Sequence, residues 1–418
     1  MRLELHKVHI KGLGFAETTH VKDGVLYVNK GEAEALVGED RNFSKVSIDF
    51  ACPGDKTRII PVKDAIEPRV KMGKGNYFPG FMAPMSKAGN GETLVLDGAA
   101  VITCGPIVAF QEGFIDMSGP AAPYSPFSET YNIVLSVEPT ENLEKHLYET
   151  SLREAGLKLA VYLARCAEAT GAKADEVQVF EKGTTAEENA KYPELPKVVY
   201  VCMNITQGLL HDTYLYAADL RPSLPTLIHP NEVLDGAMVS GNCVSACDKN
   251  TTWHHTHNPI VRALYARHGK DINFVGVIPT QESTVLAGKI RASQMNLDIA
   301  QQLGVDGVIV SEEGYGNPDT DLCLNAKYFE NAGSKAVVVS DESSGTDGAS
   351  QSLADATPEL TGFVSTGNVN EMIEVPAMDK VIGYKEAISL LSGGAEESLR
   401  PDGSMYVELQ SIIASTAE

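Results

Sequence analysis

The chain is short of aromatic residues, 7% of 418 positions with one tryptophan, and its seven cysteines form no framework. An odd set of scattered thiols excludes a disulfide-stapled secreted scaffold and predicts reduced cysteines. Positive charge is scarce too: 34 Lys and Arg stand against 56 Asp and Glu, a formal charge of −22 at pH 7. A surface so acidic is unsuited to a phosphate backbone or an anionic membrane face. No apolar run approaches the ~18 residues of a spanning helix, and positions 2–10 alternate charged and apolar residues without the hydrophobic core of a leader. Internal repeats and low-complexity tracts are missing as well. What remains, 43% apolar, is the composition expected of a cytoplasmic enzyme with two or three domains.

What is present divides into three stretches. Residues 1–138 read as a β-rich domain: short β-branched runs at 25–28, 46–50, 59–62, 94–96, 101–102 and 133–135 are broken by Gly, Pro and Asp turns, which predicts a sandwich or barrel. Residues 139–242 read as a helix and mixed α/β segment. Leu143, Leu147, Leu152, Leu157, Val161 and Leu163 recur at helical spacing up to Gly171, and Val198 to Cys202 is a buried strand. Residues 243–418 read as an α/β domain. A helix opened by Asn258-Pro259 is followed by strands at 273–278, 307–310, 336–339 and 362–365, with helices at 284–303, 319–332 and near 385–391. Aliphatic strands alternating with helices predict a parallel sheet covered on both faces, so the fold class expected is α/β with an α+β N-terminal half. Ligands of such sheets bind beyond the carboxyl ends of the strands, where Glu282, Glu312, Glu313 and Asp341 fall in polar clusters. Gly314 and Gly316 lack the third glycine and first-turn position of a dinucleotide fingerprint.

The segment least like average composition runs from Met238 to Pro259. It holds Cys243, Cys247, the histidines 254, 255 and 257, and Trp253. A cysteine thiolate is a strong nucleophile once a base or a positive charge lowers its pKa, and the histidines are near enough in sequence to do so. Attack of the Cys243 thiolate on the Asn242 carbonyl turns the amide into a thioester. Elimination and hydrolysis then leave a pyruvoyl group on the downstream piece, with the chain cut between Asn242 and Cys243. Three other readings stand beside this one. Cys243, Cys247, His254 and His255 can be taken as zinc ligands of an uncleaved protein, Cys243 as an unprocessed nucleophile paired with a histidine, and the histidines as satisfied polar residues of a loop.

Longer matches carry a resemblance. Gly241-Asn242-Cys243-Val244, Cys247-Asp248-Lys249, Thr251-Thr252, His254-His255 and Asn258-Pro259 join Phe110-Gln111-Glu112-Gly113, Ile115-Asp116-Met117-Ser118-Gly119-Pro120, Gln207-Gly208-Leu209-Leu210-His211-Asp212-Thr213-Tyr214, Glu312-Glu313-Gly314-Tyr315-Gly316-Asn317-Pro318 and Met378-Asp379-Lys380. Together they resemble the component B proproteins of glycine, sarcosine and betaine reductases, and more distantly the D-proline reductase proprotein; His257 departs from the pattern. The resemblance implies self-cleavage into a beta piece, 1–242, and an alpha piece, 243–418, that stay together. It implies a pyruvoyl cofactor from Cys243 acting as Schiff-base centre, with His254 and His255 activating the thiol or moving protons. Glu312 and Asp341 are the residues expected to face a substrate ammonium; no metal is expected. The implied activity is reductive deamination of glycine, with sarcosine, betaine or D-proline as alternatives. It is a thioredoxin-linked, acetyl-phosphate-forming step of amino acid fermentation. The implied partners are a selenocysteine-containing component B subunit, selenoprotein A and component C.

Overall fold

Five aliphatic strands build a parallel sheet in the spatial order Asn273–Glu282, Lys197–Ile205, Gly307–Ser311, Lys335–Glu342, Phe363–Asn368. The computed structural model from which this is read describes residues 1–73, 77–106, 113–206, 213–241, 250–384 and 400–413. A sheet covered on both faces has no use for polar alternation: Val199, Tyr200, Val201, Cys202 and Met203 are each at most 2% exposed. Helices Leu286–Leu303 and Asp319–Asn331 close one face with Ala300, Leu322, Ala326 and Phe329. On the other face lie helices Pro230–Leu234 and Pro259–Arg267, and the same apolar cluster continues into Leu3, Leu5, Val95 and Phe180 of the N-terminal half.

Lys197–Ile205 is first of the five in sequence but second in space. The chain adds Asn273–Glu282 on one side of it, then the remaining three on the other. This reversal makes the carboxyl end of Lys197–Ile205 the switch point, where connections diverge and leave a crevice for ligands.

The N-terminal half contains two larger open sheets. One has the order Glu176–Glu181, Arg2–His9, Gly91–Asp97, Arg69–Lys71; the other runs Gly113–Asp116, Thr57–Ile66, Ala99–Cys104, Tyr131–Pro139, Phe43–Ala51. Gly98, at φ +83°, carries the chain from the first sheet to the second, a turn open to glycine at little steric cost. The helix Lys145–Ala169 packs Leu152, Leu157, Leu159 and Leu163, all fully buried, into the core that both sheets share. The sandwich or barrel expected there is thus two open sheets with a helix as a further layer. Strand Glu176–Glu181 was not expected, because its Val177 and Val179 face solvent and its sequence alternates against the core. The helix expected near 385–391 lies outside the described residues.

Among the described residues two strand pairings join the halves, besides the isolated bridges Phe114–Ile412 and Ile228–Val277. Lys197–Ile205 is hydrogen-bonded between two downstream strands, and Lys380–Gly383 returns to pair in parallel with Thr57–Ile66. Beside the second crossing, Arg58 makes a fully buried bidentate pair with Asp116, 2.7 Å at each arm, and donates to the Pro376 carbonyl at 3.0 Å. Asp116, one of the matched residues, is therefore a structural partner. Among the described residues, no helix is long and apolar enough to cross a membrane.

Candidate functional site

Asn242, Cys243 and Cys247 lie outside the described residues, as do Gln111, Glu112, His211 and Asp212. Both flanks of the 242–249 segment are described, and they are clamped together. Ser240, the last residue of strand Met238–Ser240, donates its N–H to Thr252 Oγ1 at 3.0 Å. Thr252, the first residue of helix Thr252–Thr256, in turn donates its N–H to Asp64 Oδ1 at 2.9 Å and its hydroxyl to Asp64 Oδ2 at 2.7 Å. Asp64 is fully buried in Thr57–Ile66, a strand with all ten residues buried. A carboxylate there stands only because charge-assisted hydrogen bonds replace its water. Sequence reasoning passed over Asp64, although Lys63-Asp64 in the middle of an apolar run was a signal.

The short helix carries the histidines. Thr251 caps it in a reciprocal box with His254, accepting from the His254 N–H while His254 Nδ1 accepts from the Thr251 N–H at 3.2 Å. With Nδ1 an acceptor, the neutral ring keeps its proton on Nε2, which is buried without a hydrogen-bond partner. Burial pushes the His254 pKa down to about 3, so the imidazole is uncharged at neutral pH. His255 is fully buried beside it. His257 stacks on Trp253 at 4.0 Å and sets Nε2 3.2 Å from Glu67 Oε1 and Nδ1 3.0 Å from the Trp253 carbonyl. An acceptor at each nitrogen favours the imidazolium, although burial pulls its pKa below the ordinary value. Burial raises the pKa of Glu67, yet His257 and Arg69 outweigh it and hold the carboxylate at about 2. The structure thus gives His257, the departure from the family pattern, a buried carboxylate partner in Glu67.

At the switch point the strand ends bring carboxyl groups together. Glu313 Oε2 accepts the Ile205 N–H at 2.9 Å, and its Oε1 accepts from Asn250 Nδ2 at 2.9 Å and from the Asn250 N–H at 3.3 Å. The Glu313 N–H is donated to Glu282 Oε1 at 3.1 Å, while Glu282 Oε2 is buried with no hydrogen-bond partner. Burial, and then the charge of Glu313, push the Glu282 pKa well above the ordinary range, so it is a neutral acid. Glu312 accepts a short hydrogen bond from the Ser340 hydroxyl, next to Asp341. Burial and the neighbouring Asp319 raise its pKa strongly as well. Lys289, the cation of this corner, is committed to Asp321, whose pKa burial raises to about 6 in spite of the pair. Sequence reasoning named Glu312 and Asp341 and left Glu282 and Glu313 without a role.

Among the described residues, two groups have the spacing to hold a cation: Glu67, Asp97 and His257, and Glu4, His6 and Glu92. Neither includes a residue of the zinc reading. In the first, Glu67 is already bound to Arg69; in the second, Glu4 is engaged by Arg2 at 2.9 Å.

No solved structure matches the chain. The "Glycine reductase complex component B subunits alpha and beta" of Acetoanaerobium sticklandii is 50% identical over 421 residues, covering 100% of this chain and 97% of the relative. The "Sarcosine reductase complex component B subunit alpha" of Peptoclostridium acidaminophilum is 51% identical over 417 residues with the same coverage, and the betaine counterpart from that organism is 38% identical over 98% and 95%. The D-proline reductase proprotein of A. sticklandii is 23% identical, over 80% of this chain and 54% of its own length. The sequence model of one family, described as glycine/sarcosine/betaine reductase component B subunits, matches residues 1–418. The chain therefore belongs to the family of glycine/sarcosine/betaine reductase component B subunits, and is a component of a reductase.

Proposed function

We propose that this chain is the proprotein of the pyruvoyl-bearing subunits of an amino acid reductase, cut between Asn242 and Cys243 into pieces 1–242 and 243–418. The observation that carries the reading is the full-length match to proteins whose printed names place two subunits, alpha and beta, within one chain length. The clamp supports it: Ser240, Thr252 and Asp64 hold the two flanks of the proposed cut in hydrogen-bond contact, so the new ends would stay anchored after cleavage. The proposed domains are 1–138, 139–242 and 243–418, the last two sharing the parallel sheet to which Lys197–Ile205 contributes.

When formed, a pyruvoyl group supplies a ketone that withdraws electrons from an amine-bearing carbon. The chain's own residues would do the rest. His254 keeps an N–H on Nε2 that can donate a hydrogen bond to an oxygen, and His255 is the proposed acceptor of the Cys243 thiol proton. Glu312 and Asp341 are proposed to face the substrate ammonium. Glu312 is neutral alone, and an arriving cation would draw it into its charged form.

Glycine is the proposed substrate. Sarcosine is the second reading, because the glycine and sarcosine relatives are matched at 50–51% and the betaine relative at 38%. The complex proposed around this chain holds its other cleavage piece, a selenocysteine-containing subunit, selenoprotein A and component C, in the cytoplasm. Two bands on a denaturing gel, the smaller closed to Edman sequencing and reactive with a hydrazine, are the expected result. One intact band holding stoichiometric zinc would replace this reading with the metal one. Assay of the complex on glycine, sarcosine, betaine and D-proline with a dithiol reductant identifies the substrate.

A further inference from the structure

The downstream flank of the reactive segment is tied to two buried carboxylates, one from each half of the fold. Asp64, from the N-terminal sheet, fixes Thr252 and through it Ser240. Glu313, from the switch point of the parallel sheet, fixes Asn250, seven residues beyond Cys243, by its backbone and side-chain N–H groups. The same carboxylate holds Ile205 at the end of strand Lys197–Ile205. Glu313 is 2% exposed and accepts three N–H donors, while Glu282, which accepts the Glu313 N–H, keeps a second oxygen buried without a partner. Hydrogen bonds to the charged form favour an ionised carboxylate, so one member of this touching pair carries the charge and the other is a neutral acid. A carboxylate bonded to two distant backbone segments, at Ile205 and at Asn250, is a rigid support.

We propose that Glu313 is a positioning residue for the self-cleavage: it fixes the downstream flank of the reactive segment at Asn250, and Glu282 holds Glu313 in place. This rests on the cleavage reading. Acting through Asn250, Glu313 touches no reacting atom. Its removal should therefore slow chain cleavage without abolishing the chemistry.

The test is a double-mutant cycle on full-length chain, with cleavage timed by denaturing gel after synthesis. Glu313→Ala and Asn250→Ala should each slow cleavage at least ten-fold. The double variant should be no slower than Glu313→Ala, because two residues on one path are not additive. Glu313→Gln, which keeps an acceptor for Asn250, should recover part of the rate. In a Cys243→Ala background, Glu313→Ala should speed hydrogen exchange at the Asn250 amide, a readout independent of cleavage. Wild-type rates in Glu313→Ala, or additive slowing in the double variant, would overturn the proposal. If Glu313→Ala does not fold, Asn250→Ala at the wild-type rate overturns it equally. A wild-type chain that stays whole refutes the cleavage reading itself, whereas a wild type that cuts beside an indifferent Glu313→Ala sinks only the positioning role.

Discussion

Once cut, pieces of 242 and 418 − 242 = 176 residues should not separate under native conditions. The perturbation is the break itself, and the structure sets the scale of the response. Pulling Lys197–Ile205 out of the parallel sheet exposes Val199, Tyr200, Val201 and Met203, all at most 2% exposed now, at ~1.5–3 kcal/mol each, or about 6–12 kcal/mol together. Val277, Ile278, Val308 and Val310 on the two neighbouring strands are equally buried, so the total reaches about 12–24 kcal/mol. Association entropy opposes this by roughly 4–15 kcal/mol, and a nanomolar Kd needs about 12. The second crossing, Lys380–Gly383 on Thr57–Ile66, adds to the same side. Gel filtration of the cleaved protein at nanomolar concentration should show one species of 44.8 kDa or a multiple of it, and two species only in urea. Val201→Asp buries an unpaired carboxylate in the shared strand and should let the pieces part at lower urea. Native separation of the wild-type pieces on dilution would refute the reasoning.

Other outcomes follow from single residues. Cys243→Ala should give one folded, inactive band of full length, and a cut chain in that variant would remove the thiol from the mechanism. Asp64→Ala strands the Thr252 N–H and hydroxyl and should cost about 3–5 kcal/mol in urea unfolding, with Asp64→Asn costing less because one acceptor survives. His254 and His229 both have pKa values pushed down to about 3 by burial. The unfolded chain therefore binds more protons than the native one below the free histidine value of ~6.5, and stability should fall by ~1.4 kcal/mol per pH unit for each as pH drops from there toward 3. Urea midpoints at a series of pH values measure this, and His254→Gln should flatten the slope. Glu312→Gln exchanges a neutral acid for a neutral amide, so stability should move by less than ~0.5 kcal/mol. The KM for the amino acid should rise if Glu312 meets the ammonium; an unchanged KM would remove that role.

The strands of the C-terminal half were readable from sequence because a strand covered on both faces must be aliphatic throughout: Lys197–Ile205, Asn273–Glu282, Gly307–Ser311 and Lys335–Glu342 each hold such a run. The helix Lys145–Ala169 was readable from its leucine spacing. Helix Lys30–Gly38 was not, since only Ala33 and Val37 of its nine residues are buried and its N-cap, Asn29, is the main local signal. The reactive segment was legible as unusual composition, and local chemistry named its cysteine and histidines.

Which carboxylates serve that segment was not legible. Asp64 reaches Thr252 across 188 residues, and Glu313 reaches Asn250 across 63. Local periodicity determined what each segment becomes, because side-chain burial repeats with the backbone's own period. Tertiary structure alone decided which buried charges meet, because a carboxylate is held in the core only by donors that distant segments bring to it.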